Sequence, residues 1–370
     1  MRLALAGGGT GGHVVPGLHL LAHLCERGAA PSDVLWFCAG RPVEETVLRS
    51  AGERLSGLEL DRVVLAMEPE RGGAPSWLRV AARTPAEVSR ARVALERHRS
   101  EVLLGLGGYT ALPAALAARS LGIPLVLLEV NAVDGKATRT LAGLAERVVH
   151  VFPRASRGAR HASFGAPLAA EFTTRATGAV GARQRTELGF DPARALLLVL
   201  GGSQGAAPLN RFVAAHGTAL VAAGLQILHQ TGPGRLAEAA RIDGGAYRAV
   251  EYLDDMARVL DAATLVLCRG GASTLSEIAA RARPALVVPY PHHRDHHQER
   301  NAQALGAGVR VVPEERLSAD LVAVLARLAG PDGRPEREAM ERALVAALPS
   351  DGAARLADEL LKVAARFRTT

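Results

Sequence analysis

The chain has 370 residues, of which 48% are hydrophobic and 4% aromatic, and its formal net charge is +7. This length exceeds one typical domain core, so we expect two domains whose interiors are built from Leu, Val and Ala. The sequence contains no run of about 18 uncharged apolar residues, which predicts that it has no transmembrane helix. The first glycines interrupt the apolar start too early for a signal peptide. Three cysteines without a C-x-x-C pattern are typical of reduced thiols in a cytosol.

Short apolar runs alternate with alanine-rich helical segments along the chain, which predicts an α/β fold with parallel sheets and crossover helices. In the first half the predicted strands are Leu3–Ala6, Val34–Cys38, Arg62–Leu65, Val102–Leu104, Leu125–Glu129 and Arg147–Val151. In the second half they are Leu196–Leu200, Gln226–His229, Thr264–Cys268, Ala285–Val288 and Val309–Val312. The apolar periodicity is lost near Ser163–Gly178, where we place the linker. The predicted domains are therefore residues 1–165 and 166–345, followed by a C-terminal helix in residues 346–370 that could pack back on the first domain.

Three glycine-rich loops follow predicted strands: GGGTGGH at residues 7–13, GLGGY at residues 105–109 and GGSQGA at residues 201–206. Glycine permits a close approach between backbone and ligand. The first loop is not a dinucleotide fingerprint, because no acidic residue closes the second strand. The third lacks the lysine of an ATP-binding phosphate loop. Together the loops predict a cleft lined by backbone N–H donors.

The stretch Thr264–Ala280 combines a buried strand, a glycine turn and a helix, for which Ser273, Thr274 and Ser276 are candidate caps. Free backbone N–H groups and the positive end of a helix dipole converge at such a turn, which predicts an anion site. A carboxylate at Glu277, about one turn into the helix, would repel a phosphate. We therefore interpret Glu277 as an acceptor for ribose hydroxyls, which suggests a nucleotide ligand. An ordinary strand-to-helix turn is the alternative interpretation.

Residues 71–99 carry seven arginines against two acids, Glu87 and Glu96. This charge fits an anionic membrane surface or nucleic acid. Nucleic acid is disfavoured, because Trp77 is the only aromatic residue in the segment and stacking on bases needs more. A solvated face without a partner is the remaining alternative.

The segment HHRDHHQ at residues 292–298 pairs histidines four residues apart, a spacing that occurs in metal sites. No carboxylate or cysteine constellation completes such a site, and Pro289 and Pro291 favour a loop. The sequence also lacks a D-x-D motif that could hold a metal on a diphosphate. We therefore predict no metal, and interpret these histidines as solvated or ligand-contacting.

The chain resembles the MurG family of peptidoglycan N-acetylglucosaminyltransferases, because it carries in the same order and spacing GGGTGGHVVPGL, GLGGY, LEVNAV, LVLGGSQGA, HQTGPG, EYLDDM, CRGGASTLSEIAA and VPYPHHRDHHQERNA. The motifs run from Gly7 to Asn301. The resemblance implies two facing Rossmann-like domains of GT-B architecture, the first binding mainly the acceptor and the second mainly UDP-GlcNAc. It implies inverting transfer of GlcNAc to the MurNAc C4 hydroxyl of an undecaprenyl-diphosphate-linked pentapeptide (lipid I to lipid II), without a cofactor.

A peripheral enzyme on the cytoplasmic face of the cell membrane is also implied, active in peptidoglycan synthesis and through it in cell shape and division. The expected partners are UDP-GlcNAc, lipid I and an anionic membrane surface, but not nucleic acid. Two alternatives stay open: a transferase of the same fold for another acceptor, and a non-catalytic nucleotide-sugar-binding protein.

The resemblance also assigns ligand contacts residue by residue. In the first domain, Thr10, Gly11 and Gly12 are assigned to the diphosphate and sugar edge. Asn131 is assigned to GlcNAc, and Tyr109 is expected to position the acceptor. In the second domain, Ser203 is assigned to the phosphate, Leu253 to the uracil and Gln298 to GlcNAc. Phosphate and ribose are further assigned to Ala272, Ser273, Thr274, Leu275, Ser276 and Glu277.

Transfer of this kind needs a base for the acceptor hydroxyl and positive potential for the departing diphosphate. Helix N-termini after Gly12 and Gly271 could supply the potential without a metal. His13 is the predicted base, because it is the only titratable side chain within a glycine loop expected at the cleft, and imidazole ordinarily titrates near neutral pH. The alternative is that His13 only positions the loop, and Glu129 is the second candidate base.

Two positions depart from the family pattern. Val130 stands between Glu129 and Asn131 where the family has glutamine, and Ala169 replaces a family arginine that helps hold the nucleotide. Arg175 is a candidate substitute for that arginine.

Overall fold

The computed structural model describes residues 1–9, 11–42, 44–45, 47–48, 55, 58, 60–67, 76–154, 158–173, 178–242, 244–293 and 295–368. The chain folds into two compact units, one formed by residues 1–170 with 351–370 and the other by residues 171–350. Both contain a parallel β-sheet connected by helices. The predicted α/β class, with two Rossmann-like domains, is therefore confirmed.

The strands of the first unit are β1 (Arg2–Gly7), β2 (Asp33–Cys38), β3 (Leu60–Val64), β4 (Val102–Gly107), β5 (Leu125–Glu129), β6 (Arg147–His150) and β7 (His161–Ser163). They form a parallel sheet in the order β3-β2-β1-β4-β5-β6-β7. The strand order reverses between β1 and β4. Their carboxyl ends are therefore the switch point, where open α/β sheets bind ligands.

The helices of the first unit are Gly11–Glu26, Ser76–His98, Ala111–Ser120, Lys136–Leu141 and Gly352–Arg368, with a 3₁₀ turn at Ala142–Leu144. The C-terminal helix Gly352–Arg368 packs against Gly11–Glu26, and its Leu356 and Leu360 are completely buried. A side chain at Gly352 would clash with the backbone of Ala166, because a Cβ there would lie 2.5 Å from the Ala166 carbonyl oxygen. The last helix of the chain is thus an integral part of the first unit.

The strands of the second unit are β8 (Leu196–Leu200), β9 (Gln226–Gln230), β10 (Tyr247–Val250), β11 (Leu265–Cys268), β12 (Ala285–Val287) and β13 (Val309–Val311). Their parallel sheet has the order β10-β9-β8-β11-β12-β13, with its switch point between β8 and β11. The helices are Gly178–Glu187, Ala207–Ala222, Met256–Ala262, Ala272–Ala280, His297–Gln303, Ala319–Ala329 and Arg334–Ala347. The 3₁₀ turns are Ala170–Thr173, which crosses the division between the units, Leu236–Glu238, Gly306–Gly308, Glu314–Arg316 and Pro331–Gly333.

Small side chains make close packing possible in a chain with few aromatics. In the helix Ala111–Ser120 five alanines and one proline are buried. The largest completely buried side chain is Trp36 on β2, whose Nε1 donates a 3.0 Å hydrogen bond to the Gly7 carbonyl at the end of β1. The central strands β1, β2, β8 and β11 are almost wholly buried, as expected for parallel strands covered on both faces.

The eleven predicted strands are all present, with ends that differ by at most three residues. Two strands, β7 and β10, were not predicted. Both lie at a sheet edge and are only partly buried, so they carry no continuous apolar run. The two divisions between the units follow residues 170 and 350, each five residues after the predicted boundary.

None of the described helices is long and apolar enough to cross a lipid bilayer.

Candidate active site

In the first unit, two glycine loops meet at His13. The loop after β1 leads into the helix Gly11–Glu26, which begins two residues before His13. The His13 Nδ1 atom lies 3.0 Å from the Gly8 carbonyl oxygen. A carbonyl only accepts, so the neutral imidazole carries its proton on Nδ1 and keeps a lone pair on Nε2. From the other side, Gly107 approaches so closely that a Cβ there would lie 3.2 Å from His13 Nε2.

Other residues of this unit that were predicted to contact ligands lie in or next to these loops. Gly11 is the first residue of the helix, and Gly12 is exposed. Tyr109 follows the second glycine loop and is 46% exposed. Gly107 has φ 103° and Gly108 has φ 80°, backbone conformations that favour glycine and aim this loop at the histidine. Thr10 lies outside the described residues.

Glu129, the second candidate base, ends β5 and is only 4% exposed. One carboxylate oxygen accepts a 3.0 Å hydrogen bond from the Asn131 backbone N–H. The other accepts from the Gly135 N–H at 2.8 Å and from the Thr138 hydroxyl at 2.6 Å. The carboxylate therefore holds the turn that carries Asn131, which favours a positioning role for Glu129 over the role of base.

In the second unit, the helix Ala272–Ala280 begins without a side-chain cap. Gly271 is its N-cap residue, and no side chain hydrogen-bonds to the cap. The prediction that Ser273, Thr274 and Ser276 cap the helix was wrong, because all three lie inside it. The Ser276 hydroxyl instead donates to the Ala272 carbonyl at 2.8 Å. The N–H groups of the first turn have no intrahelical partner, so the helix start is suited to an external anion.

The half-buried residues Ala272, Ser273, Thr274 and Glu277 stay accessible at this helix start. Leu275 and Ser276 do not, because their side chains are buried in the core. Their assignment to phosphate and ribose stays a prediction, in which the backbone and not the buried side chain would make the contact. The cause of their burial is helical phase: with 3.6 residues per turn, six consecutive residues cannot all face one side.

Gln298 joins the turn before this helix to the loop that follows β12. Its side-chain oxygen accepts hydrogen bonds from the Gly270 N–H at 3.2 Å and the Tyr290 N–H at 3.0 Å. A Cβ at Gly270 would lie 2.3 Å from the Gln298 carbonyl oxygen, so only glycine fits there. The buried Asn301 donates to the Gly270 carbonyl at 3.1 Å. The turn before the helix is thus held by the amides of Gln298 and Asn301. Its first residue, Arg269, donates to the Val288 and Pro289 carbonyls at 3.1 Å and pairs with Glu314 at 2.6 Å.

The Glu277 carboxyl is half-buried. Burial, reinforced by the like charge of Glu171, raises the pKa of Glu277 to about 8. In the ligand-free protein at neutral pH the group is therefore mostly protonated. The repulsion between Glu277 and a phosphate, expected from the sequence, is largely removed by this protonation.

A buried polar network that the sequence analysis did not recognise lies beneath the loop after β9. His229 Nε2 lies 3.0 Å from Asn210 Oδ1, and His229 Nδ1 lies 3.1 Å from the Tyr247 hydroxyl. The Asn210 amide nitrogen donates to the Thr231 carbonyl at 3.1 Å. Burial lowers the pKa of His229 to about 4, against a smaller opposing effect of the Glu238 charge. The imidazole is therefore neutral at physiological pH.

This network fixes a turn that interlocks with the third glycine loop. A Cβ at Gly205 would lie 2.1 Å from the Thr231 carbonyl oxygen, and one at Gly232 would lie 2.5 Å from the Gly205 Cα. The two loops can approach this closely only because both positions are glycine. Ser203, the predicted phosphate contact, is exposed at the tip of the loop so held. The HQTGPG motif contains His229, Thr231 and Gly232, so it marks this turn in the sequence. The network itself could not be predicted, because its partners Asn210 and Tyr247 lie outside the motif.

The remaining predicted positions are Leu253, the histidine cluster at residues 292–298, Ala169 and Arg175. Leu253 is half-buried in the loop before the helix Met256–Ala262. In the histidine cluster, the rings of His293 and His297 are 4.3 Å apart, and His297 Nδ1 lies 2.8 Å from Asp295 Oδ1. Within the described part of the chain, no three His, Cys, Asp or Glu side chains gather as a metal site would require. Ala169 is half-buried. Arg175 falls outside the described residues.

Two family models match the chain: the N-terminal domain of glycosyltransferase family 28 over residues 3–150, and its C-terminal domain over residues 196–356. The UDP-N-acetylglucosamine--N-acetylmuramyl-(pentapeptide) pyrophosphoryl-undecaprenol N-acetylglucosamine transferase of Sorangium cellulosum is 38% identical, over 98% of this chain and 89% of its own. The protein of the same name from Halorhodospira halophila is 38% identical, over 97% and 98% of the two chains.

Two solved structures share the fold. The crystal structure of Acinetobacter baumannii MurG has a TM-score of 0.76 and 23% identity, covering 98% of this chain and 99% of its own. The calicheamicin glycosyltransferase CalG4 has a TM-score of 0.66 and 18% identity, covering 99% of this chain and 98% of its own. The predicted GT-B fold class is thereby confirmed.

The raised pKa of Glu277 predicts a pH-dependent stability. The folded carboxyl has a pKa of about 8 against an ordinary value of 4.5, so the unfolded state loses its proton first as pH rises. Stability is therefore lost between these two values. We expect Glu277→Gln to match the parent Tm at pH 5 and to exceed it by roughly 2–8 °C at pH 8.5 without ligand, measured by circular dichroism. Glu315→Gln, at an exposed carboxyl, is the control, and an equal Tm difference at both pH values would contradict the assignment.

The lowered pKa of His229 predicts that the protein loses stability as the pH falls, the opposite direction to the effect of Glu277. The folded imidazole resists protonation to about pH 4, whereas the unfolded one takes up a proton near pH 6.5, so stability is lost as pH falls between these values. The loss should reach ~3 kcal/mol in urea unfolding. His229→Gln should flatten this dependence and weaken UDP binding in calorimetry.

The control for His229 is Gln226→Leu at the opposite end of β9, which breaks hydrogen bonds to the Asp191 backbone. It should lower stability while UDP affinity is kept. If both variants weaken UDP binding equally, the network does not act through the loop.

Proposed function

Because the chain belongs to glycosyltransferase family 28 and to its UDP-N-acetylglucosamine--N-acetylmuramyl-(pentapeptide) pyrophosphoryl-undecaprenol N-acetylglucosamine transferases, we propose that it performs their reaction with the loops described above. The enzyme transfers GlcNAc from UDP-GlcNAc to the MurNAc-pentapeptide on undecaprenyl diphosphate. The single observation that carries this function is 38% identity over 98% of the chain. Through this step the enzyme serves peptidoglycan synthesis, and thereby cell shape and division.

The second unit binds the donor in this proposal. The start of the helix Ala272–Ala280 offers N–H groups to the diphosphate, as helix N-termini do for phosphates generally. Ser203 adds a contact from the neighbouring loop. Glu277 meets the ribose hydroxyls, and its raised pKa supports this role because a protonated carboxyl does not repel the phosphates. Leu253 lies against the uracil and Gln298 contacts GlcNAc.

The first unit binds the acceptor and supplies the base. The C4 hydroxyl of MurNAc attacks C1 of GlcNAc, the C1–oxygen bond to the diphosphate breaks, and the linkage is inverted. His13 takes the hydroxyl proton on Nε2, a role supported by the hydrogen bond that holds its own proton on Nδ1. Negative charge on the departing UDP is stabilised by backbone N–H groups and helix dipoles. Tyr109 positions the acceptor, Gly12 lies at the diphosphate and sugar edge, and Asn131 contacts GlcNAc.

The enzyme works as a peripheral protein on the cytoplasmic face of the membrane in this proposal. The polyprenyl tail of the acceptor stays in the bilayer, so the enzyme must come to the lipid surface. The helix Ser76–His98 supports this contact, because Arg83, Arg92 and Arg97 on it are exposed. The side chains of Trp77 and Arg79 on the same helix, like all of Arg71, lie outside the described residues. Attraction to anionic lipid adds about 1 kcal/mol per basic residue at the surface.

The experiment that tests the function is transfer of labelled GlcNAc from UDP-GlcNAc to a lipid I analogue, with chelator present. We expect a β-linked product from the parent protein. For His13→Ala, kcat should fall ~10²–10⁴-fold with UDP affinity nearly unchanged, as for the loss of a general base. A loss of tenfold or less would reject His13 as base. If the parent protein transfers no GlcNAc to the lipid I analogue, the proposed function is rejected, whether or not another acceptor is used.

The membrane contact predicts a difference between long and short acceptors. Trp77→Ser with Arg79→Glu and Arg83→Glu should weaken binding to vesicles of anionic phospholipid by roughly tenfold or more, since each arginine contributes about 1 kcal/mol. The apparent KM for long-chain lipid I should rise, while a water-soluble short-chain acceptor is used almost as before.

The control with matched charge change on the second unit is Arg327→Glu with Arg334→Glu, which should bind vesicles like the parent. If the triple variant at Trp77, Arg79 and Arg83 binds vesicles like the parent, or if it uses the long and the short acceptor equally poorly, this helix is not the membrane contact.

A further inference from the structure

Glu44 is a buried carboxylate at the carboxyl edge of the first sheet, and it is only 1% exposed. Its Oε2 atom accepts hydrogen bonds from three consecutive backbone N–H groups after β2: Ala39 at 2.9 Å, Gly40 at 2.9 Å and Arg41 at 3.2 Å. Its Oε1 atom accepts a hydrogen bond from the Gly9 N–H in the first glycine loop. One side chain thus joins the ends of β1 and β2.

The peptide group between Gly8 and Gly9 is held from both sides. Its N–H donates to Glu44, and its carbonyl oxygen lies 3.0 Å from His13 Nδ1. A peptide group is planar, so fixing the N–H also fixes the direction of the carbonyl. A hydrogen bond to a carboxylate is stronger than a neutral one, and it polarises the peptide so that the carbonyl becomes a better acceptor. Glu44 and His13 are therefore coupled through one peptide group.

The glycines of this loop fit the carboxylate. A Cβ at Gly8 would lie 2.5 Å from Glu44 Oε1 and 2.9 Å from the Ala39 nitrogen. Gly9 has φ 89°, a conformation that favours glycine. The sequence suggested that glycines here admit a ligand. At Gly8 the group that approaches the backbone is the side chain of Glu44.

We infer that Glu44 is a positioning residue for the transfer reaction. Through the Gly8–Gly9 peptide it holds His13 with the proton on Nδ1, which leaves the Nε2 lone pair to accept the proton of the acceptor hydroxyl. This inference rests on the proposed function of His13 as base. With 1% of its surface exposed, Glu44 acts in this inference through His13 and not by direct contact with the substrate.

Glu44→Gln tests the inference with little change in shape. One terminal group of glutamine is an NH₂, which must face either the Gly9 N–H or the N–H groups after β2, so one set of hydrogen bonds is lost. We expect kcat to fall about 10–100-fold, with KM for UDP-GlcNAc changed less than twofold, because the donor loops lie in the second unit. The control is Glu101→Gln, which removes a carboxylate that accepts from the Arg2 N–H at 2.7 Å at the other end of the sheet. It should keep the parent kcat.

A double variant separates positioning of His13 from general damage. If Glu44 acts through His13, then His13→Ala with Glu44→Gln should turn over at the rate of His13→Ala alone, because coupled residues are not additive. A further tenfold loss in the double variant would overturn the inference. So would a Glu44→Gln enzyme with the parent kcat.

A measurement without turnover decides the inference independently of the transfer assay. In the protein labelled with ¹⁵N-histidine, the His13 signals are identified by their loss in His13→Ala, and NMR reports which ring nitrogen carries the proton. We expect the Nδ1–H tautomer in the parent and a substantial Nε2–H population in Glu44→Gln. The Nε2–H tautomer in the parent would overturn the inference even if Glu44→Gln failed to fold. Failed transfer with the expected tautomer would reject only the proposed function.

Discussion

Backbone N–H groups in the loops at strand ends need acceptors, and among the described residues the loops around Gly9 and those around Gly270 obtain them from different groups. In the first unit two buried carboxylates are the acceptors: Glu44 accepts from four N–H groups, and Glu129 from two N–H groups and a hydroxyl. In the second unit the acceptor that joins the loops around Gly270 is the neutral amide of Gln298. The helix that follows Gly271 has no side-chain cap. The start of this helix therefore offers N–H donors to an anion, which supports the proposed contact with the donor diphosphate.

Two ionisable groups near the donor loops, Glu277 and His229, are held in neutral forms. Burial raises the pKa of Glu277 to about 8 and lowers the pKa of His229 to about 4, so both are mostly uncharged at neutral pH. At the start of the helix Ala272–Ala280, backbone dipoles supply positive potential, next to the buried guanidinium of Arg269, whose charge is paired with Glu314. Such dipoles are fixed by the fold, so they need little reorganisation when negative charge develops on a leaving diphosphate.

The buried strands and the glycine loops were predictable from the sequence, because both leave local signals: continuous apolar runs and clustered glycines. The edge strands β7 and β10 were not predicted, because a strand that is only partly buried does not need a continuous run of apolar residues. The prediction that Ser273, Thr274 and Ser276 cap a helix was wrong because the helix already begins after Gly271. His13 could be proposed from its place in a glycine loop. Glu44 could not, since its contact with Gly9 joins residues 35 positions apart and no local pattern records such a contact.

The central claim is that backbone N–H groups at an uncapped helix start bind the donor diphosphate. A crystal structure of the protein with UDP-GlcNAc tests it most directly. The diphosphate oxygens should lie within hydrogen-bonding distance of the Ser273 and Thr274 N–H groups, with the ribose hydroxyls on Glu277. A donor diphosphate held by side-chain cations or a metal ion, without contact to the helix Ala272–Ala280, would contradict the claim.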